Sequence, residues 1–281
     1  MSFSGSVASK WEHATIQDNF IFSKTMELFP ELCRQLLELI LDINIKQISY
    51  PEREKTIETR IDGKGIRLDV FVQDQRAKRT FDVEMQVSNS SHLDMRIRYY
   101  QALLDMDSLK RGQHYGSLNE SFIIFICPFD RFKQGRHFYS FSERCDQDFS
   151  LILKNKVHHI FLSTKGTFND MPPDLIAFLN YVDSGIVSGK FVEQLDAAVY
   201  SIKSNEKVRH DFMTLQMALL EERIEGEQYG FAQGIEQGRN EERELLALKL
   251  LRRGRPLQEI QEDTGLPFQR LQQLAGDHSD K

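Results

Sequence analysis

Two segments separated by a short polar stretch, Gly65 to Val72 and Thr80 to Val87, alternate apolar and polar residues with period two. That alternation fits a pair of half-buried β-strands and little else. Ile66, Leu68, Val70 and Val72 share one face of the first, leaving Arg67 and Asp69 on the other. In the second, Phe81, Val83, Met85 and Val87 face one way and Asp82, Glu84 and Gln86 the other. An antiparallel hairpin turning near Arg76 and Ala77 places Asp69 opposite Glu84 and Arg67 opposite Gln86, because the position numbers in every cross-strand pair share one sum.

Carboxylates directly across a ladder repel unless a cation or a proton holds them together. Two readings of this face are open: an ordinary solvated hairpin surface, or a site for a hard divalent ion such as Mg²⁺, which is held by one or two carboxylates together with substrate phosphate. The rest of the chain bears on the choice. Asp69 with the Glu84, Met85, Gln86 triplet resembles the PD-(D/E)XK nuclease pattern, with Gln in place of the commoner final Lys. More closely, six runs in one order, Asp18 to Phe22, Glu52 to Thr56, Arg67 to Val70, Glu84 to Gln86, Arg98 to Gln101 and Ile124 to Cys127, resemble the Rpn family of recombination-promoting nucleases, also labelled transposases. The resemblance spans roughly residues 15 to 185. It implies an α/β fold with a restriction-endonuclease-like core, a mixed central sheet flanked by helices, and Mg²⁺- or Mn²⁺-dependent cleavage of DNA. It also implies metal ligation by Asp69, Glu84 and the backbone carbonyl of Met85. An acidic residue on the first core helix often reaches the metal in such nucleases; Glu38 matches that position, with a solvated helix face as the alternative.

The 281 residues carry a net charge of −6, so any DNA site is a local basic patch rather than bulk attraction. Cys33, Cys127 and Cys145 form no Cys-x-x-Cys pair, which argues against zinc and for reduced thiols in a cytoplasmic protein. No run reaches the roughly 18 apolar residues of a membrane span, and the N-terminus lacks the basic-then-apolar pattern of a signal peptide. There is no Gly-x-x-x-x-Gly-Lys-Ser/Thr phosphate loop.

Asp18 is placed to cap a helix carrying Phe22 and Met26, and Pro30 opens a second helix to about Asp42 with Leu32, Leu36 and Ile40 on its apolar stripe. Residues 45 to 57 are expected to supply a first strand or strand pair. His92 to Leu109 reads as a helix, and Ser121 to Cys127 as a strand covered on both faces. His159 to Ser163 is a further strand, and Pro172 and Pro173 open another helix. The core is expected over residues 15–185. Residues 190–245 form a charged helical segment in which Gly226, Gly230, Gly234 and Gly238 recur every fourth position. Interior glycines cost a helix roughly 1 kcal/mol each, so the segment is either a mobile linker or the contact of a homo-oligomer. Residues 246–276 read as a small helix-turn-helix-like unit beside the basic cluster Lys249, Arg252, Arg253 and Arg255.

Gln86 cannot replace Lys in kind, since an amide orients water but neither titrates near neutrality nor carries charge. Arg67, opposite it in the expected register, is the candidate to supply that charge, unless it merely pairs with Asp69 or Glu84. Two functions therefore stand side by side: a metal-dependent endonuclease using Asp69, Glu84, Gln86, Arg67 and Glu38, and a catalytically weak DNA-binding or regulatory protein that keeps the fold.

Overall fold

The computed structural model describes residues 3–49, 52–57, 65–168 and 171–279. Three helices come first, α1 (Phe3–His13), α2 (Asn19–Leu28) and α3 (Pro30–Leu41). The Asp18 carboxylate caps α2 by accepting the Phe20 and Ile21 N–H groups. Pro30 stands at the start of α3, where its missing N–H costs nothing. Then come β1 (Glu52–Ile57), β2 (Ile66–Asp74), β3 (Arg79–Met85), α4 (Leu93–Ser108), β4 (Glu120–Cys127), β5 (Phe138–Phe141), β6 (Arg144–Cys145), β7 (Asp148–Ile152), β8 (Val157–Ser163), α5 (Pro173–Ser184) and α6 (Lys190–Lys203). Of the expected first strand, Tyr50 and Pro51 lie outside the described residues.

Six strands form one sheet in the order β1-β2-β3-β4-β8-β5. β1, β2 and β3 make an antiparallel meander, while β4 lies parallel between β3 and β8. That central place explains why β4 is almost continuously apolar: Phe122 through Cys127 are all buried. A cluster including Leu68, Phe71, Ile97, Leu104, Ile123 and Phe125 joins the sheet to α4. α2 packs on β1, β2 and β3, and α6 packs on α2, α3 and α5. Cys33 and Cys127 are buried, and burial pushes both thiols up to about 12. β5 and the small hairpin β6–β7 are additions that the sequence reading did not contain.

The first compact unit runs to Met213, beyond the expected end near 185. The physical reason is apolar: Val192, Leu195, Val199 and Ile202 of α6 are buried, and Phe212 packs its ring on Trp11 and Phe20 at 5.1 and 5.4 Å. Phe212 belongs to α7 (Glu206–Arg252), a single helix of 47 residues that runs on into the second unit, Thr214–Lys281. There α8 (Leu257–Thr264) and α9 (Phe268–Ser279) close a small core of Ala247, Ile260, Leu266, Leu271 and Leu274. Gly265, at φ 66°, makes the left-handed turn out of α8. No helix of the described residues is long and apolar enough to cross a membrane.

Candidate active site

The β2–β3 hairpin has the expected register, with Val70 opposite Val83 and Phe71 opposite Asp82. Its turn is held by the Asp74 carboxylate, which accepts the Arg76 and Ala77 N–H groups at 3.1 and 3.0 Å. The paired residues end at Val70 and Val83, and just beyond them Asp69 and Glu84 meet. The two are interlocked through the backbone: the Asp69 N–H donates to Glu84 Oε1 at 2.9 Å, and the Met85 N–H donates to Asp69 Oδ2 at 3.1 Å. Both are buried, at 9% and 4% exposure. The Asn19 amide at the start of α2 donates to Asp69 Oδ1 at 3.3 Å.

A third acid stands on the same face. Asp82 is fully buried, and neither of its carboxylate oxygens has a hydrogen-bond partner. Two ionised carboxylates are both acceptors and cannot bond to each other; with a proton, Asp82 can donate to Glu84. Burial, aided by the charges of Glu84 and Asp69, raises the Asp82 carboxyl well above its ordinary range. Burial and the Asp69 charge likewise raise Glu84 to about 8. The one cation in contact with Glu84 among the described residues is Arg96 of α4, whose Nη2 lies 3.3 Å from Glu84 Oε2. Its guanidinium also sits over the Phe125 and Tyr100 rings, at 5.0 and 5.3 Å, and its Nε is buried without a partner.

The remaining expected residues divide. Gln86 follows β3 directly, with its N–H on the Ile126 carbonyl at 2.9 Å, and its side-chain amide donates to the Ser88 carbonyl and hydroxyl. The loop from Ser88 to His92 is tied down by Arg131, which donates to Asn89, to the Ser90 and Ser91 carbonyls and to Asp94. Arg67 is exposed on β2 and faces a cleft rather than being buried among the carboxylates. Glu38 is the correction. Its Oε1 accepts the Ile45 N–H at 2.7 Å and its Oε2 pairs with Arg34 at 2.6 Å, so both oxygens serve the chain leaving α3. From the N-terminal helices it is Asn19 that donates to Asp69, while Glu38 makes its contacts at the end of α3. Asn19, Asp82 and Arg96 were missed as site members; Asp82 shares the period-two face of Glu84, and that was the available signal.

The donor set is all oxygen, as a hard divalent cation requires. The orphaned Asp82 oxygens and the proton-binding Glu84 mark surplus buried negative charge that protons or a cation must offset. Among the described residues no three His, Cys, Asp or Glu side chains converge into a ready-made cage, and Mg²⁺ does not need one, since waters and substrate phosphate complete its shell.

Comparison with known proteins agrees with this geometry. The family model described as PD-(D/E)XK nuclease family transposase matches residues 21–167, just over half of the chain and all of β1 to β8. No curated protein and no solved structure matches. With the match covering the acidic hairpin and the sheet that carries it, the chain belongs to the PD-(D/E)XK nuclease family transposases.

Proposed function

We propose that this protein is a metal-dependent DNA endonuclease of the recombination-promoting kind, with Asp69, Glu84 and the Met85 carbonyl holding Mg²⁺ or Mn²⁺. The observation that supports it most is the interlock of two buried carboxylates across β2 and β3, each fixed by the other strand's backbone. Such an ion, when bound, polarises the scissile phosphate and lowers the pKa of attacking water. The chain's own residues do the positioning. Asn19 and the Met85 N–H orient Asp69, so its oxygens are aimed before any ligand arrives. Arg96 offsets charge at Glu84 and borders the cleft beside it, which suits it to a phosphate oxygen. Gln86 can orient water through its amide but cannot take its proton. A homo-oligomer assembled through α7 belongs to the same reading.

One observation favours the alternative of a weakly catalytic DNA-binding protein: Gln86 spends its amide N–H groups on Ser88. Plasmid cleavage by wild type, Asp69→Ala and Gln86→Lys in Mg²⁺, Mn²⁺ and chelator decides between them. Asp69→Ala is expected to lose at least about 10³-fold in rate. Gln86→Lys should keep or raise activity if that position adjoins the attacking water. Wild type that shows no chelator-sensitive cutting, or Asp69→Ala that cuts as fast as wild type, would sink the nuclease reading.

A further inference from the structure

β7 is exposed along its whole length, although three of its five residues are large and apolar. Phe149 and Leu151, at 70% and 60% exposure, alternate onto one side, with Leu153 just beyond the strand at 59%. Clustered apolar surface of this kind marks a contact. β6 and β7 form a sheet of two strands, so one edge of β7 has no strand beside it among the described residues. The bonds that hold the pair include the Leu153 N–H on the Glu143 carbonyl at 3.0 Å and Arg144 Nη1 on the Phe149 carbonyl at 2.9 Å. Asp148 Oδ1 accepts the Ser150 N–H and hydroxyl at 2.9 and 2.6 Å. A two-stranded hairpin without a packed face is marginally stable in water, so this one gains from being covered.

The charges on the segment indicate by what. Its leading end carries Asp146 and Asp148 and its trailing end Lys154 and Lys156, with the apolar stretch between them. All four are exposed, and none is ion-paired among the described residues. A segment acidic at one end, apolar in the middle and basic at the other is complementary to itself when turned end for end. We propose that the hairpin docks on the same hairpin of a second copy of this chain, with β7 antiparallel to β7 about Leu151. Facing positions then share one sum. Asp148 lies opposite Lys154 of the other copy, Phe149 opposite Leu153 and Leu151 opposite itself, while Asp146 and Lys156 meet beyond. Each acid meets a lysine and each large residue of the apolar side meets another, twice over, which is the isologous pattern of a two-fold contact. A parallel alignment sets acid on acid and lysine on lysine. Nucleic acid in place of the second copy would bring its phosphates against Asp146 and Asp148, which repel them. The contact is separate from α7 and does not depend on the nuclease reading.

Disulfide crosslinking of the full chain tests it. In a Cys145→Ser, Leu151→Cys chain the central position carries the accessible thiol, since Cys33 and Cys127 are buried. Mild oxidation is expected to give at least about fivefold more covalent dimer than in a Cys145→Ser, Tyr115→Cys chain, because docking raises the effective concentration of one thiol at the other. Tyr115 is 80% exposed on the same unit and reports association that does not join the hairpins. Adding Lys154→Glu and Lys156→Glu to the Leu151→Cys chain sets acid against acid and should cut the yield about fivefold or more; adding Asp146→Lys and Asp148→Lys as well reverses both ends and should restore it. Mixed with a tagged unreversed chain, the reversed one should crosslink to its own kind. Thermal melts followed by circular dichroism check that each variant keeps its core. A yield at position 151 no higher than at 115 overturns the proposal, as does a yield that survives the two added glutamates or that reversal of both ends fails to restore. Reversed and unreversed chains that crosslink to each other as readily as to themselves would overturn the antiparallel order.

Discussion

Glu84 is the residue on which the chemistry of this hairpin turns. It keeps a proton up to about 8 because burial and Asp69 oppose its charge, against an ordinary value of 4.5. Between those two values the native protein binds more protons than the unfolded chain, so stability without metal must fall as pH rises through that window and is greatest below it. In chelator the Tm is expected to drop by at least about 3 °C between about pH 5 and pH 8.5. Mg²⁺ should restore it at the alkaline end, and Glu84→Gln, which has no proton to lose, should make the profile shallower, with the buried Asp82 carboxyl keeping its own share of the slope. Scanning calorimetry in chelator measures it; a Tm that rises with pH would show that Glu84 does not carry a buried proton in this range. The shared face of Asp82 and Glu84 was legible in the sequence, because both stand on one side of a period-two strand; the break in alternation at Asp69, which puts Leu68 in the same cluster as Phe71, was not. The burial of Asp82 was not, since it depends on what covers the sheet. Nor was the nearness of Arg96, which reaches Glu84 from α4 across a loop whose path is fixed by Arg131 rather than by any local pattern.

Among the elements, those with a local cause were readable in advance. α2 begins after Asp18 because a carboxylate caps it, α3 begins at Pro30, and the hairpin register follows from one turn. β5 and the β6–β7 hairpin lack that kind of signal: Phe149, Leu151 and Ile152 are exposed despite being apolar, so no alternation of buried and solvated positions marked them. Glu38 shows how an amphipathic stripe misleads. The polar face of α3 was correctly a polar face, but at its C-terminal end the side chain serves the departing chain, accepting the Ile45 N–H. Glu38→Ala is therefore expected to cost about 1–3 kcal/mol of stability, as removal of a charged acceptor from a partly buried N–H does, with Mn²⁺ affinity unchanged. Chemical denaturation and paramagnetic Mn²⁺ titration separate the two effects, and a loss of metal affinity without destabilisation would return Glu38 to the site.

At the largest scale stands α7, a helix of 47 residues. Its register Gly226, Gly230, Gly234, Gly238 leaves open space around each position where a Cβ would stand, and Tyr229, Phe231 and Ile235 are exposed beside them. Four glycines withdraw roughly 1 kcal/mol each from the helix, and a solvated helix with that deficit is stabilised by a second helix laid close along it. Truncation before Glu225 should shift the mass from sedimentation equilibrium toward monomer; an unchanged mass would leave the glycines without this role. The helical character of this region was evident from composition. Its continuity from Glu206 to Arg252 was not, because glycine spacing alone describes a linker as well as a helix.

The two buried cysteines have a use beyond packing. Cys33 lies in α3 and Cys127 at the end of β4, with thiols pushed to about 12, whereas Cys145 on the β6–β7 hairpin is partly exposed. Alkylation proceeds through the thiolate, so Cys33 and Cys127 react only when their elements open. The chain thus carries one handle for a fluorophore and two internal clocks, one in the helical layer and one in the central strand, whose labelling rates time the local opening of each layer without any engineered probe.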